Sequence, residues 1–494
     1  MFEKVKKWIT DRLTSLIQVV PAQNSGLYIT SPYTFATQCI ISQTWYGGEP
    51  AELDQLYKQT DDELSNVNFW AAASTTGINF RKIHSGLPAL IVNTLSGIVG
   101  ADLAEISSDN PEIDALWSGI TQDNSLFGLL DAAIADVLVY GDGAAKIGFD
   151  PELSPYPIIE FYPAPDVEFE YTRGRLKTIC FLTKFSERNR DYILEERYSE
   201  GAIECVVHGV DGDYPVENFP RLINKGFVSH YAFSGDYMLA APLVFFCSKR
   251  YPGRGKSIFE GKYGAFDALD EVVSQWIEDT RAGRMNTYIP ESMIPRSPET
   301  GVPLKSNPFD NRFISIPGSL AEDSTDKIVR ERADARAESL QATYAAFLEL
   351  ALQGILSPST LGIDLKKTDN AEAQREKEKT TVNTRGRIVS ALRDFVTGLV
   401  RICVNLYFST QGRTPPKFEA SVVFGEYANP SFESRVETVG KAKSYQIISV
   451  ERAVEELWGS DLDDEEKAAE VRRLKLEDGL TYPGPAEQEA GNMI

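Results

Sequence analysis

Two glycine-rich stretches are the first places in this sequence where chemistry could reside. Tyr251 to Ser257, YPGRGKS, ends as a phosphate-binding loop ends. Such a loop needs a glycine five residues before its last one, so that backbone amides can wrap a phosphate, and Arg250 occupies that place. The stretch reads instead as a turn leading to a helix N-terminus. Tyr140 to Gly148, YGDGAAKIG, opens like a dinucleotide fingerprint, but Lys146 stands where the third glycine belongs. It reads as a turn before a strand. The three histidines, His84, His208 and His230, lie far apart and outside any metal-protease frame. The acids Asp461, Asp463 and Asp464 fall in a charge run whose default is solvated surface. Carboxylates for a two-metal nuclease could be drawn from so acidic a chain, but no spacing selects a pair. The motifs therefore give no enzyme, no metal and no cofactor.

The elements that would carry any site are clearer. The sequence has 494 residues and is 42% hydrophobic and 25% charged, as folded domains are. That length is enough for two to four domains of about 100–200 residues each. The net charge of −22 argues against a protein that wraps nucleic acid by neutralising phosphates. It leaves room for one that lets nucleic acid pass. Cys39, Cys180, Cys205, Cys247 and Cys403 are scattered, which fits a reducing compartment. No run reaches the ~18 apolar residues of a membrane span, and Asp11 and Arg12 interrupt a signal-peptide core.

Residues 1 to about 20 have the pattern of a short amphipathic helix, with Trp8, Ile9, Leu13 and Ile17 on one side. Helical spacing continues over 51–56, 69–100 and 112–138, with Pro88 expected to kink or break the second of these. From Gly143 to Val210 short runs rich in Val, Ile, Phe and Tyr alternate with turn residues, which predicts an antiparallel sheet. Ile258 to Arg281 predicts a helix with one apolar face and one acidic face carrying Asp267, Asp270, Glu271, Glu278 and Asp279. Arg284 to Gly318 is proline-rich, with two β-like runs, MNTYI and FISI. A helix is expected from about Thr325 to Gly354, then a break at Pro358 and Gly362.

The longest single pattern is Lys366 to Phe408. Asp369 is placed to cap it, with Glu372 at the capping-box spacing. A charged block gives way to Ile388, Leu392, Phe395, Leu399, Cys403 and Leu406 at helical spacing. This predicts a long helix, solvated at its start and buried towards its end. A strut and an ordinary core helix both satisfy the pattern. After Gln411 to Pro416, KFEASVVFG reads as a strand, followed by an acidic helical end and a tail, YPGPAEQEAGNMI, without folding signals. No internal repeat is evident.

Two passages carry a resemblance to a known family. AFDALDEVVSQWIEDTRAGRMNTYIPESMI, residues 265–294, looks like the first stem helix of the portal proteins of tailed bacteriophages running into the clip. GILSPSTLGIDLKKTDNAEAQREKEKTTVNTRGRI, residues 354–388, looks like that family's turn, tunnel loop and long wing helix. The order of elements from about residue 50 to about residue 475 is similar too, nearest in style to portals of phages with long non-contractile tails. Relatives often carry a T-A-T-E-V-like stretch at the start of the long helix. Here Thr368 to Glu372, TDNAE, matches it in part.

The resemblance implies an α+β portal fold. Its divisions would be an N-terminal wing body over 1–255, a first stem helix over 256–283, a clip over 284–318 and a second stem helix over 319–356. A tunnel loop over 357–371, a long wing helix with the following strand over 372–430, and a crown with its tail over 431–494 complete it. It further implies a head-to-tail connector in the virion, assembled in host cytoplasm: a ring, usually of twelve copies, at one capsid vertex. Such a ring nucleates procapsid assembly with major capsid and scaffold proteins, docks the large terminase subunit and then the head–tail adaptor. It passes double-stranded DNA non-specifically in packaging and ejection, and hydrolyses no nucleotide itself.

Carried onto this sequence, the channel-facing loop is Asp364, Leu365, Lys366, Lys367, Thr368 and Asp369, and the docking rim includes Ser297, Glu299, Lys305, Asn307 and Asp310. Lys366 and Lys367 would make brief phosphate contacts, or else lie solvated on an outer loop. An acidic bore would deny DNA a deep binding minimum, so that the duplex slides. Two other readings stand beside this one: a capsid-vertex or head–tail component with no DNA channel, and an acidic metal-dependent enzyme acting on nucleic acid.

Overall fold

The computed structural model describes residues 33–60, 68–72, 81–233, 235–282, 286–290, 294, 296–298, 300–302, 314–316, 329–331, 336–363, 371–425, 432–445, 447–458 and 464–477. The chain divides into two compact units, 1–425 and 426–494. The expected helix at residues 1–20 and the tail after 477 lie outside the described residues.

The first unit opens with helices α1 (Phe35–Gly47), α2 (Pro50–Thr60) and α3 (Leu87–Asp102). Thr34 caps α1, its hydroxyl accepting from the Thr37 amide at 3.1 Å. Pro88 does not kink a helix here. It sits in the first turn of α3, where a missing amide costs nothing. The expected helix over 69–100 accordingly begins only at Leu87; Phe69 to Ala71 form a turn.

Strand β1 (Leu103–Ser108) leads to α4 (Pro111–Asp123) and α5 (Leu126–Tyr140). The sequence pattern over 112–138 does not show the break between these two helices. Asn124 makes it: its side chain donates to the Ile120 and Pro157 carbonyls and accepts from the Ile159 amide. Ser125 follows with φ 48°, a left-handed conformation that no helix continues through.

The β region follows as β2 (Asp142–Gly148), β3 (Ile158–Pro163), β4 (Val167–Thr172), β5 (Arg175–Glu187), β6 (Arg190–Ser199), β7 (Ala202–Gly209) and β8 (Gly212–Tyr214). After the short helix α6 (Pro220–Ile223) come β9 (His230–Ala232) and β10 (Ala240–Val244). Strands β4 to β8 form an antiparallel meander, with β9 also paired to β7. Strand β2 lies between β10 and β3 in a second antiparallel sheet. The expectation of an antiparallel region inserted among helices holds, and the fold is α+β.

Helix α7 (Tyr263–Ala282), strands β11 (Asn286–Pro290), β12 (Ile314–Ile316) and β13 (Val329–Glu331), and helix α8 (Ala337–Leu352) come next. The helix expected from Thr325 starts twelve residues later than that, because Val329–Glu331 is recruited as a strand against β11. Helix α7 likewise begins at Tyr263 and not at Ile258, the residues between being turns. Helix α9 (Ala371–Thr410) spans 40 residues and leads to β14 (Ala420–Phe424), which pairs antiparallel with β1.

The core of this unit gathers on α9. Ile388, Leu392, Phe395, Leu399 and Cys403 are buried as their spacing predicts, and Leu406 is half-buried. Burying each such large side chain contributes about 1.5–3 kcal/mol, which is what holds the later turns of so long a helix in place. Its earlier turns are tied by Arg385, which donates to Asp102 at 2.5 Å and to the Gly425 carbonyl.

The second unit holds α10 (Phe432–Ser444), α11 (Val450–Trp458) and α12 (Asp464–Glu477). Val450, Ala453 and Val454 are buried, and Lys467 and Lys475 of α12 pair with Glu455 and Glu451 of α11. Glu466 is exposed; Asp461 and Asp463 lie outside the described residues.

Candidate functional site

Helices α7 and α8 run antiparallel, and contacts along their length fix the pairing. At one end the Lys262 ammonium, just before α7, donates to the Leu350 carbonyl at 2.9 Å. In between, the Trp276 and Tyr344 rings meet with centroids 6.5 Å apart. At the other end Arg336 grips Asp279 with Nε and Nη2 at 3.0 and 2.9 Å. That forked geometry fixes both side chains and holds the Asp279 carboxyl below the usual carboxylate range.

Between these helices the chain makes a small sheet. Its central strand β11 is parallel to β12 and antiparallel to β13. The three strands are drawn from 46 residues, and Pro290 stands at the end of β11. Of the expected docking residues, Ser297 lies in a tight reversal: its amide donates to Val302 O and its carbonyl accepts from Gly301 N, both at 2.9 Å. Gly301 has φ 67°, which only glycine adopts without strain. Glu299, Lys305, Asn307 and Asp310 lie outside the described residues.

The expected channel-facing residues of the tunnel loop, Asp364, Leu365, Lys366, Lys367, Thr368 and Asp369, also lie outside the described residues. The start of that loop is described. Residues 358–361 form a single 3-10 turn closed by Gly362 at φ 71°. The fully buried Thr381 hydroxyl of α9 accepts from the Ser357 amide at 2.9 Å and bonds to Thr360 Oγ1 at 2.8 Å. Ser357 and Thr360 are thus fastened to α9.

The acidic face of α7 is buried in part. Asp267 and Asp270 are buried. Asp267 accepts from the amides of Phe69 and Trp70, yet burial pushes its carboxyl up to about 6. Asp270 accepts from Trp70 Nε1, the Ser85 amide and His84 Nδ1. These carboxylates hold the turns before α3 in place of a sheet or helix ladder.

The two rejected glycine motifs meet each other. Asp142 takes Arg254 Nε and Nη2 at 3.0 and 2.8 Å and the Gly255 amide at 2.6 Å. Arg254 also donates to the carbonyls of Val167 and Ala164 and lies 4.0 Å over the Phe35 ring. The arginine of YPGRGKS therefore binds protein and not phosphate.

The histidines also find carboxylates. His208 lies between Glu195, 2.5 Å from Nε2, and Asp213, 2.8 Å from Nδ1. Burial alone would lower its pKa; the hydrogen bonds to Glu195 and Asp213 outweigh burial and raise it. Lys146, the residue that spoils the fingerprint, is buried against Glu196 at 2.9 Å and Glu160 at 3.3 Å. Sequence spacing could not find these pairs, since each joins different strands. Among the described residues no group of three or more His, Cys, Asp or Glu side chains is placed to hold a metal, and no helix is long and apolar enough to cross a membrane.

No family model and no curated protein matches the chain. Solved structures do. A chain of the virion of a native gene transfer agent particle overlaps with a TM-score of 0.42 at 12% identity, covering 94% of this chain and 98% of that one. One from the neck of the empty gene transfer agent particle, computed with C6 symmetry, gives 0.36 at 11% identity over 82% of this chain and 99% of that one. One from the neck of the native particle, computed with C12 symmetry, gives 0.35 at 12% over 78% and 90%. Overlap at that level fixes neither a family nor a function.

Proposed function

We propose that this chain is the subunit of a portal ring at one vertex of a tailed-phage-like capsid, through which double-stranded DNA passes. The observation that carries the reading is the run from α7 to α9. An antiparallel helix pair, tied at both ends, encloses a small three-stranded sheet and is followed by a 40-residue helix anchored in the core. That order matches the stem, clip, stem and wing helix which the two sequence passages resemble.

On this reading the α7 and α8 pair is the stem, the sheet with Ser297, Glu299, Lys305, Asn307 and Asp310 is the docking clip, and residues 364–369 face the channel. The second unit is the crown. Terminase, the head–tail adaptor, capsid and scaffold proteins are the partners, the copy number is twelve, and the motor supplies the energy. The anion-repelling balance of the chain suits a bore along which a duplex slides.

Native mass spectrometry and electron-microscope class averages of the purified protein test this. Rings of about twelve copies with a central hole wide enough for B-DNA are expected. Closed rings without such a hole overturn the channel and leave a vertex component. A chain that stays monomeric alone and with capsid and scaffold proteins overturns the reading altogether.

A further inference from the structure

A cavity of about 560 Å³ opens on the first unit among four separate segments: the chain after β10, the turns before α7, the end of α8 and the middle of α9. Four cations line it, Lys249, Lys256, Lys262 and Arg387, against one carboxylate, Glu260. The chain as a whole has 72 acids to 50 bases, so this concentration of positive charge runs against its composition.

Among the described residues, none of the four cations has a carboxylate partner. Arg387 lies 4.5 Å over the Phe246 ring, and Lys262 spends one proton on the Leu350 carbonyl. Burial and the neighbouring Lys256 ammonium depress the pKa of Lys262. Like charges gathered round one cavity, Lys256 and Lys262 half-buried and Lys249 and Arg387 exposed, carry a cost that an anion would relieve. Gln353 and Thr384 add neutral donors to the lining.

We propose that this cavity is an oxyanion site that takes a phosphate ester. Four cations less one carboxylate leave three positive charges, which suits a dianionic or larger phosphate better than a single carboxylate. The volume lies within the roughly 300–1,000 Å³ usual for small-molecule sites. Lys256 and Ser257 come from YPGRGKS. The motif lacks the first glycine that would wrap a phosphate in backbone amides, and Arg254 is committed to Asp142. Its lysine nevertheless faces the cavity wall, where the other three cations come from segments remote in sequence. The charge can come from a free nucleotide or from neighbouring phosphodiesters of a nucleic-acid backbone, and the site stands whether or not the chain forms a portal.

The test is calorimetric titration of the full-length protein, in the assembly state in which it purifies, with pyrophosphate, with ATP and with a short DNA duplex. Chloride at matched ionic strength is the control. Saturable pyrophosphate binding is expected, and Lys249→Gln/Arg387→Gln, both at exposed positions, should weaken it about ten-fold or more. Lys256→Gln should do the same. Thermal unfolding and circular dichroism establish that each variant is folded; if Lys256→Gln is not, the exposed pair decides alone. Displacement of pyrophosphate by duplex assigns the nucleic-acid backbone; displacement by ATP and not duplex assigns a free nucleotide. Binding that the variants leave unchanged, or heats that chloride reproduces, would overturn the site.

Discussion

Asp142 and Arg254 form a closed ion pair across 112 residues of sequence, at 2.8 and 3.0 Å, with the aspartate wholly buried. The pair joins the end of α5 and the start of β2 to the turn that precedes α7, so the β region and the helix pair share one fixed joint. Removing the cation strands a carboxylate in the interior. Arg254→Met is expected to destabilise by about 3–5 kcal/mol, and Asp142→Asn/Arg254→Met by less than the sum of the single changes. Thermal midpoints of the four proteins check the coupling; strict additivity would remove it.

The same joint brings two backbones into contact. A Cβ on Gly255 would overlap the Gly141 carbonyl, and one on Gly141 would stand 2.7 Å from the Gly255 carbonyl carbon. Gly141 also has φ 111°. Gly255→Ala should therefore fail to give soluble protein. Gly386→Ala is the contrast: that helical position in α9 has open space around it, and alanine should add about 0.5–1 kcal/mol. Soluble yield and thermal midpoint measure both.

His208 makes stability depend on pH in a stated direction. Its folded pKa is raised above the usual 6.5, so the stabilisation is complete below that value and is lost as pH rises through the folded pKa. Glu195 runs the other way: burial would raise it, but His208 and Arg197 hold it lowered, so its contribution is lost only at acid pH. The gap in thermal midpoint between the natural protein and His208→Gln should be widest near about pH 5–6 and shrink towards about pH 9. A gap that does not change with pH would refute the assignment.

Thr381 fastens the chain at Ser357 and Thr360 to α9. Thr381→Val keeps the shape but leaves the Ser357 amide without its acceptor, at a cost of about 1–3 kcal/mol. Thr381→Ser retains the hydroxyl and should cost less. Faster proteolysis within residues 358–380 in the valine variant, and not in the serine one, is the expected readout.

If residues 364–369 face a DNA channel, Lys366→Ala/Lys367→Ala particles should package DNA but retain it less well, since weak phosphate contacts repeated round a ring act against slippage. Full-length DNA per particle, measured after packaging and again after storage, checks this. Normal packaging with normal retention would leave the lysines as ordinary solvated side chains. Deleting Ser297–Asn307 should leave the ring intact and abolish terminase or adaptor binding.

Much of the architecture is local and was legible in the sequence. The apolar stripe from Ile388 to Cys403 is set by helical period alone, and the alternating runs after Gly143 by the period of a strand, because both signals come from neighbours within a few residues. Pro88 marks the limit of the local signal: a proline is expected to kink or break a helix, and here it opens one. The tertiary structure decided what charge means. Asp267 and Asp270 have the spacing of a solvated helix face, yet they lie inside, because amides of Phe69, Trp70 and Ser85 arrive from nearly two hundred residues away. Gly255 resembles the end of a phosphate loop, yet it is there to let Gly141 pass. Lys249, Lys256, Lys262 and Arg387 share one cavity only because three-dimensional packing sets their segments side by side. Periodicity reports which face of an element is apolar; which partner covers a polar group depends on contacts between elements remote in sequence, and no local pattern encodes them.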